Sequence, residues 1–231
     1  MEEMIMFFYD LLLVTISYLR PKPSPPTRCP MRSSGGRRGS YSQPRDRRPI
    51  NVAVTGPVGS GKSTLVRAML RDPGEEVVGE EEVDSSDTPK SFVFPNNPRV
   101  ILWDLPGIEG EADDSAQRAP EEPGLPVFDF FILTSGSRLN EKVLNLARNI
   151  EQTGKQFFFV RTKVDVYVRQ TQQTSFTQAQ LLREIRRHFT KGLQAAGVQA
   201  PRVFLLSALQ PRSYDFPDFM QAFGGEFSTR D

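Results

Sequence analysis

With 38% hydrophobic and 25% charged side chains, the 231 residues carry the apolar content of one core-forming domain with chain left over. The formal charge of +1 is the balance of three acids in residues 1–19, nine Lys/Arg against one acid in residues 20–49, and −4 beyond. A slightly acidic main body argues against a polyanion-binding domain, so no specific nucleic-acid recognition is expected, although the basic stretch suits acidic lipid or nucleic acid.

Residues 4–19 form an apolar run broken by Asp10, shorter than the roughly 20 residues that cross a bilayer. The start, Met1-Glu2-Glu3, lacks the basic character of a secretory leader, and no small-x-small cleavage site follows. Two readings stay open: a membrane segment that leaves the rest in the cytosol, or a short peripheral helix or incidental alternative start. Residues 20–49 are rich in Pro, Gly, Ser and Arg and are expected to form a disordered linker, because they cannot bury enough surface to offset chain entropy. Cys29 lies here, alone, with no partner for a disulfide or a zinc site, which fits a reducing, cytoplasmic setting.

One α/β domain is expected over residues 50–231. Continuous apolar runs at 50–55, 99–103, 127–134, 156–161 and 202–206 read as strands covered on both faces. Helical spacing falls between them, at 62–71, 139–152 and 177–196. This alternation makes right-handed crossovers and a mainly parallel sheet with helices on both faces. The last of these helices sets Leu181, Leu182, Ile185, Phe189 and Leu193 against the sheet, with Arg183, Arg186, Arg187 and Lys191 read as a solvated face. The single histidine, His188, reads as an ordinary helix-surface residue and not a base.

Directly after the first strand stands Gly56-Pro57-Val58-Gly59-Ser60-Gly61-Lys62-Ser63-Thr64, the G-x-x-x-x-G-K-[ST] phosphate loop of P-loop NTPases in its required strand-to-helix context. Its glycines let successive backbone N–H groups face the phosphates, and the next helix adds its N-terminal dipole. Lys62 is expected to reach the β and γ phosphates, and the Ser63 hydroxyl to hold Mg²⁺.

Two further motifs choose the base. Asp104-Leu105-Pro106-Gly107 closes the second strand, so that Asp104 binds the metal through water and the Gly107 N–H meets the γ-phosphate. Trp103 before it reads as core. Thr162-Lys163-Val164-Asp165 follows the fourth run: Asp165 accepts from guanine N1–H and the 2-amino group, which adenine lacks, and the Lys163 stem lies over the base. After the last run, Ser207-Ala208-Leu209 offers the Ala208 N–H to guanine O6. All lie at carboxyl ends of strands, where ligands bind in open α/β sheets. GTP and Mg²⁺ are the expected cofactors.

Specific strings carry a family resemblance: Trp103-Asp104-Leu105-Pro106-Gly107-Ile108, Phe128-Asp129-Phe130-Phe131-Ile132, Phe159-Val160-Arg161-Thr162-Lys163-Val164-Asp165, Phe204-Leu205-Leu206-Ser207 and Tyr214-Asp215-Phe216-Pro217. Over residues 51–223 the chain resembles the immunity-related, interferon-inducible GTPases. The resemblance implies a Ras-like G domain, GTP binding with slow hydrolysis, self-association through that domain, and action on endomembranes or pathogen-containing vacuoles. Two features differ from the family: a linker where helices usually precede the domain, and Pro57 where many members carry an acidic residue.

For the metal's second hydroxyl the candidate is Thr88 in Asp87-Thr88-Pro89, the alternative being a turn threonine. The acidic run 75–87 reads as a solvated loop, and loops 85–92 and 107–124 as the nucleotide-sensitive switches. Where other GTPases place a water-orienting glutamine, this chain has Ile108, so slow turnover is expected, raised when a second molecule completes the site. The competing class is a nucleotide-regulated binding module with negligible turnover; an ATP-using kinase is disfavoured by Asp165.

Overall fold

The computed structural model describes residues 48–71, 88–108, 127–171 and 176–228. The apolar segment 4–19, the linker up to residue 47, the acidic run 75–87 and most of the loop 107–124 lie outside the described residues.

Among the described residues six strands form one sheet in the order β2-β3-β1-β4-β5-β6. They are β1 (Ile50–Thr55), β2 (Lys90–Val93), β3 (Val100–Asp104), β4 (Phe130–Ser135), β5 (Gln156–Arg161) and β6 (Val203–Leu205). All neighbours pair in parallel except β2, which runs antiparallel to β3. Five helices complete the described fold: α1 (Lys62–Leu70), α2 (Glu141–Gln152), α3 (Val164–Gln170), α4 (Gln178–Ala195) and α5 (Phe216–Ser228).

Strand alternation divides the core into two layers. On one face Ala53, Trp103, Phe131, Leu133, Phe157 and Phe159 meet Val143, Leu146 and Ile150 of α2 and Ile185, Phe189 and Leu193 of α4. On the other, Ile50, Val52, Val54, Leu102, Phe130, Ile132 and Phe158 meet Leu65, Val66 and Met69 of α1 and the phenylalanines of α5. Phe216, Phe219, Phe223 and Phe227 recur at helical spacing, and their rings pack edge-on or stacked with one another and with Phe94, Phe130, Phe158 and Phe204. Truncating one such buried ring costs about 3–5 kcal/mol.

The expected strands and helices are all present, displaced by a few residues at some ends. The fourth run, 156–161, and the first, 50–55, coincide with β5 and β1; the run 127–134 becomes strand only from Phe130. Three elements were not expected. β2 occupies part of the loop 85–92, α3 follows the Thr162-Lys163 turn, and α5 extends the domain past Tyr214. Trp103 is core, its indole N–H bonded to Asn51 Oδ1 at 3.0 Å. His188 is exposed on α4.

Among the described residues no helix is long and apolar enough to cross a membrane.

Candidate functional site

The β1–α1 turn carries three glycines in backbone conformations that disfavour side chains: Gly56 at φ 149°, Gly59 at 71° and Gly61 at 86°. Gly56 is also fixed by space, since a Cβ there would lie 2.2 Å from the Thr134 carbonyl oxygen. Gly61 precedes α1 without any side-chain cap, and no acid occupies the first helical turn. The helix therefore presents uncapped N–H groups and its positive dipole end toward the turn, an arrangement that favours an anion there.

Lys62 is buried and its Nζ donates to the carbonyls of Gly56 and Pro57, at 3.1 and 3.0 Å, folding the ammonium into the loop. Burial holds it below the usual lysine range, with the Asp104 charge opposing. Asp104, at the end of β3, is buried too, and burial pushes its carboxyl up, against the Ser63 hydrogen bond and the charges of Lys62, Lys90 and Arg67. Among the described residues its buried Oδ1 has no hydrogen-bond partner. A hydroxyl and a carboxylate with a spare buried oxygen are the hard oxygen donors that Mg²⁺ takes, so Ser63 and Asp104 fit such an ion. Thr64 follows on α1, half-buried.

Gly107 lies against the phosphate loop. A Cβ on it would meet Val58 Cγ2 at 2.5 Å and Val58 Cα at 2.7 Å. Ile108 continues this contact: its N–H donates to the Gly56 carbonyl at 3.0 Å, it bridges to Pro57, and its side chain packs against the core. Thr88 is exposed, two residues before Lys90, the residue paired with Asp104 across β2 and β3.

The loop after β5 reaches the same end of the sheet. Thr162 donates its hydroxyl to the Ser60 carbonyl, and its N–H to the Ser135 carbonyl at 2.9 Å. Lys163 adopts φ 56°, uncommon for a residue with a side chain, and its Cε would be 3.9 Å from a Cβ at Gly61. The loop that carries Lys62 and the loop that leads to Asp165 are thus in direct contact at this end of the sheet. Asp165 is buried at the start of α3, and its Oδ2 accepts from Arg169 at 2.7 Å. Ser207 is fully buried beside this loop, and among the described residues its Oγ has no hydrogen-bond partner; the Val164 N–H donates to the neighbouring Leu206 carbonyl. Ala208 is half-buried in the turn that follows.

Several residues that support these loops were given no role there by the sequence. Thr134, next to last in β4, has its Oγ1 2.7 Å from Ser60 Oγ and bonded to the Thr55 carbonyl. Arg161 is buried, its guanidinium donating to the carbonyls of Thr162 and Ser135 and lying over the Phe189 ring. Arg186, expected to be merely solvated, donates to the Val203 carbonyl and to both oxygens of Asp215. Asp215 in turn accepts from the Leu205 N–H and donates its own N–H to the Leu205 carbonyl. The outer edge of β6 is thereby closed, and the turn 206–214 is held at both ends. Tyr214, at φ 56°, stands beside Asp215, and burial and the Asp165 charge raise its phenol above the ordinary tyrosine range.

Comparison with solved structures shows the fold. The chain resembles a bacterial selenocysteine-specific elongation factor at a TM-score of 0.52 and 17% identity, covering 80% of this chain and 29% of that one. It also resembles a probable GTP-binding protein, engB, at 0.50 and 11%, covering 78% of this chain and all of the other. Curated relatives are nearer in sequence. Interferon-inducible GTPase 5 is 41% identical over 175 residues in Rattus norvegicus and 39% over 178 in Bos taurus. Interferon-gamma-inducible GTPase 10 of Mus musculus is 33% identical over 177. The matches cover 73% or 74% of this chain but 37% to 42% of those proteins, so the chain spans about two-fifths of their length. A sequence model of the interferon-inducible GTPases matches residues 41–229, and the chain belongs to that family.

Proposed function

We propose that these joined loops bind GTP as its Mg²⁺ complex and that the chain hydrolyses it slowly. The observation that carries the reading is the Thr162–Ser60 hydrogen bond, which joins the loop bearing the buried Asp165 to the loop bearing Lys62. A base edge and a triphosphate are then read by one connected surface.

In this reading the N–H groups from Gly56 to Thr64 and the Lys62 ammonium take the β and γ phosphates, and the Gly107 N–H meets the γ-phosphate. Ser63 would hold Mg²⁺, Asp104 would bind it through water, and Thr88 would be its second hydroxyl. The metal supplies charge neutralisation on the phosphates. Asp165 accepts guanine's N1–H and 2-amino donors, Lys163 covers the base, and the loop of Ser207 and Ala208 meets O6. Titration of the full chain with GTP, GDP and ATP in Mg²⁺ tests this; guanine nucleotides should bind about a hundredfold tighter than ATP or better, and equal affinities would overturn it.

Turnover is expected to be low, because Ile108 turns its aliphatic side chain to the core and is tied by its N–H to Gly56. That same observation favours a second reading, a nucleotide-regulated binding module with negligible hydrolysis. Single-turnover phosphate release at rising protein concentration separates them: acceleration means a second copy completes the site, whereas an undetectable rate at every concentration leaves the module. Action at an intracellular membrane belongs to the same proposal, and flotation of the full chain with liposomes, compared with a variant lacking residues 1–19, tests it.

A further inference from the structure

We infer that Arg169 is a specificity-determining positioning residue, holding the Asp165 carboxylate in the orientation that selects guanine. The inference rests on the guanine reading above. Asp165 and Arg169 lie one turn apart on α3, and Arg169 Nη2 donates to Asp165 Oδ2 at 2.7 Å. Its Nε donates to the Asp165 backbone carbonyl at 3.3 Å. Two contacts to one residue fix the guanidinium plane against the carboxylate.

The burial of the two partners separates this pair from an ordinary helix-surface bridge. The Asp165 side chain is 4% exposed and that of Arg169 is 64%. A buried carboxylate needs a counter-charge, and exposed i,i+4 pairs have no such requirement. Among the described residues Asp165 Oδ1 accepts no hydrogen bond, so Arg169 occupies one oxygen and leaves the other open to a ligand. Each carboxylate oxygen has more than one lone pair, so Oδ2 can serve Arg169 and a base donor together. A base seated on the open side excludes water from the carboxylate. The Arg169 charge is therefore worth more with guanine bound than without it. Adenine offers no donors there, and ATP gains nothing from the orientation.

The test is competitive titration of the full chain with GDP, GTP and ATP in Mg²⁺, in wild type, Arg169→Met and Arg169→Lys. Arg169 is exposed enough for both variants to fold, and thermal melting confirms it. Arg169→Met should lose about tenfold in GDP and GTP affinity with ATP affinity unchanged, and Arg169→Lys should recover most of the guanine preference. A GTP-to-ATP ratio within about twofold of wild type overturns the inference, as does an equal fall for both bases. If wild type shows no preference for guanine, the guanine reading itself fails, and that result is visible without any variant.

Discussion

Thr162 donates its hydroxyl to the carbonyl of Ser60, 102 residues earlier in the chain. The same hydroxyl lies 3.2 Å from the Ser135 carbonyl. One side chain thus ties the loops after β1, β4 and β5 together at the carboxyl ends of three adjacent strands.

Thr162→Val keeps the shape and removes the donor, leaving the Ser60 carbonyl without it. Stability should fall by about 1–3 kcal/mol, the cost of an unsatisfied buried group, in thermal melts, and GTP should bind more weakly in calorimetric titration because the two loops are no longer tied. In a double-mutant cycle with Asp165→Asn the two losses should not add, since the same loop carries both. Strict additivity would mean that the bond is incidental to base recognition.

Lys62→Ala and Asp165→Asn should fail in different ways. The first removes the cation of the phosphate loop, so GTP, GDP and ATP affinities all drop. The second exchanges an acceptor for a donor against guanine's N1–H, so GTP loses its advantage over ATP by about a hundredfold while phosphate binding persists. Titrations with all three nucleotides distinguish the patterns.

The glycines of the phosphate loop make a matched comparison. A methyl at Gly56 meets the Thr134 carbonyl oxygen at 2.2 Å in addition to its φ of 149°, whereas one at Gly59, φ 71°, meets open space. Gly59→Ala should cost only backbone strain, about 1–2 kcal/mol. Gly56→Ala must also move β1 away from β4 and should be clearly the less stable in thermal melts. Similar melting temperatures for the two would show that the close approach of these strands yields easily.

If the spare oxygen of Asp104 serves the proposed Mg²⁺, nucleotide binding depends on the ion. In wild type, EDTA should weaken GDP binding by about tenfold or more, roughly 1.4 kcal/mol. In Asp104→Asn the affinity should start lower and respond little to the chelator. An undiminished EDTA response in the variant would place the metal elsewhere.

The sheet was legible wherever strands are buried on both faces, because continuous runs such as Gln156-Phe157-Phe158-Phe159-Val160-Arg161 admit few other readings. β2 was not, since Lys90-Ser91-Phe92-Val93 lies at the sheet edge with three of its four residues exposed. α3 was masked by Val164, Val166 and Val168, whose branching and alternation suggest strand. In α5, Pro217 and the Gly224-Gly225 pair hide a regular phenylalanine spacing. The motif residues of the site announced themselves through short-range spacing. Their supports did not: Thr134, Arg161, Arg186 and Asp215 act through contacts with residues distant in sequence, and only the fold brings those together.

The Arg186–Asp215 pair gives the last prediction. On the open edge of β6 the Asp215 carboxylate accepts from the Leu205 N–H, the Asp215 backbone N–H donates to the Leu205 carbonyl and Arg186 donates to the Val203 carbonyl, so these groups stand where, among the described residues, no further strand pairs. The pair is partly exposed, so its charge attraction alone stabilises little; the hydrogen bonds to the strand edge and the anchoring of the turn carrying Ser207 and Ala208 are what count. Asp215→Asn keeps one acceptor for Leu205 but loses the bidentate grip on Arg186. Stability should fall by about 1 kcal/mol, a shift of roughly 2–4 °C in melting temperature. If the turn covers the base, GDP should also dissociate faster from the variant, and Arg186→Met should match it. Accelerated dissociation in both with the GTP-to-ATP ratio retained would mean that the clasp controls access to the base and not its identity; unchanged dissociation in both would confine the clasp to protecting the sheet edge.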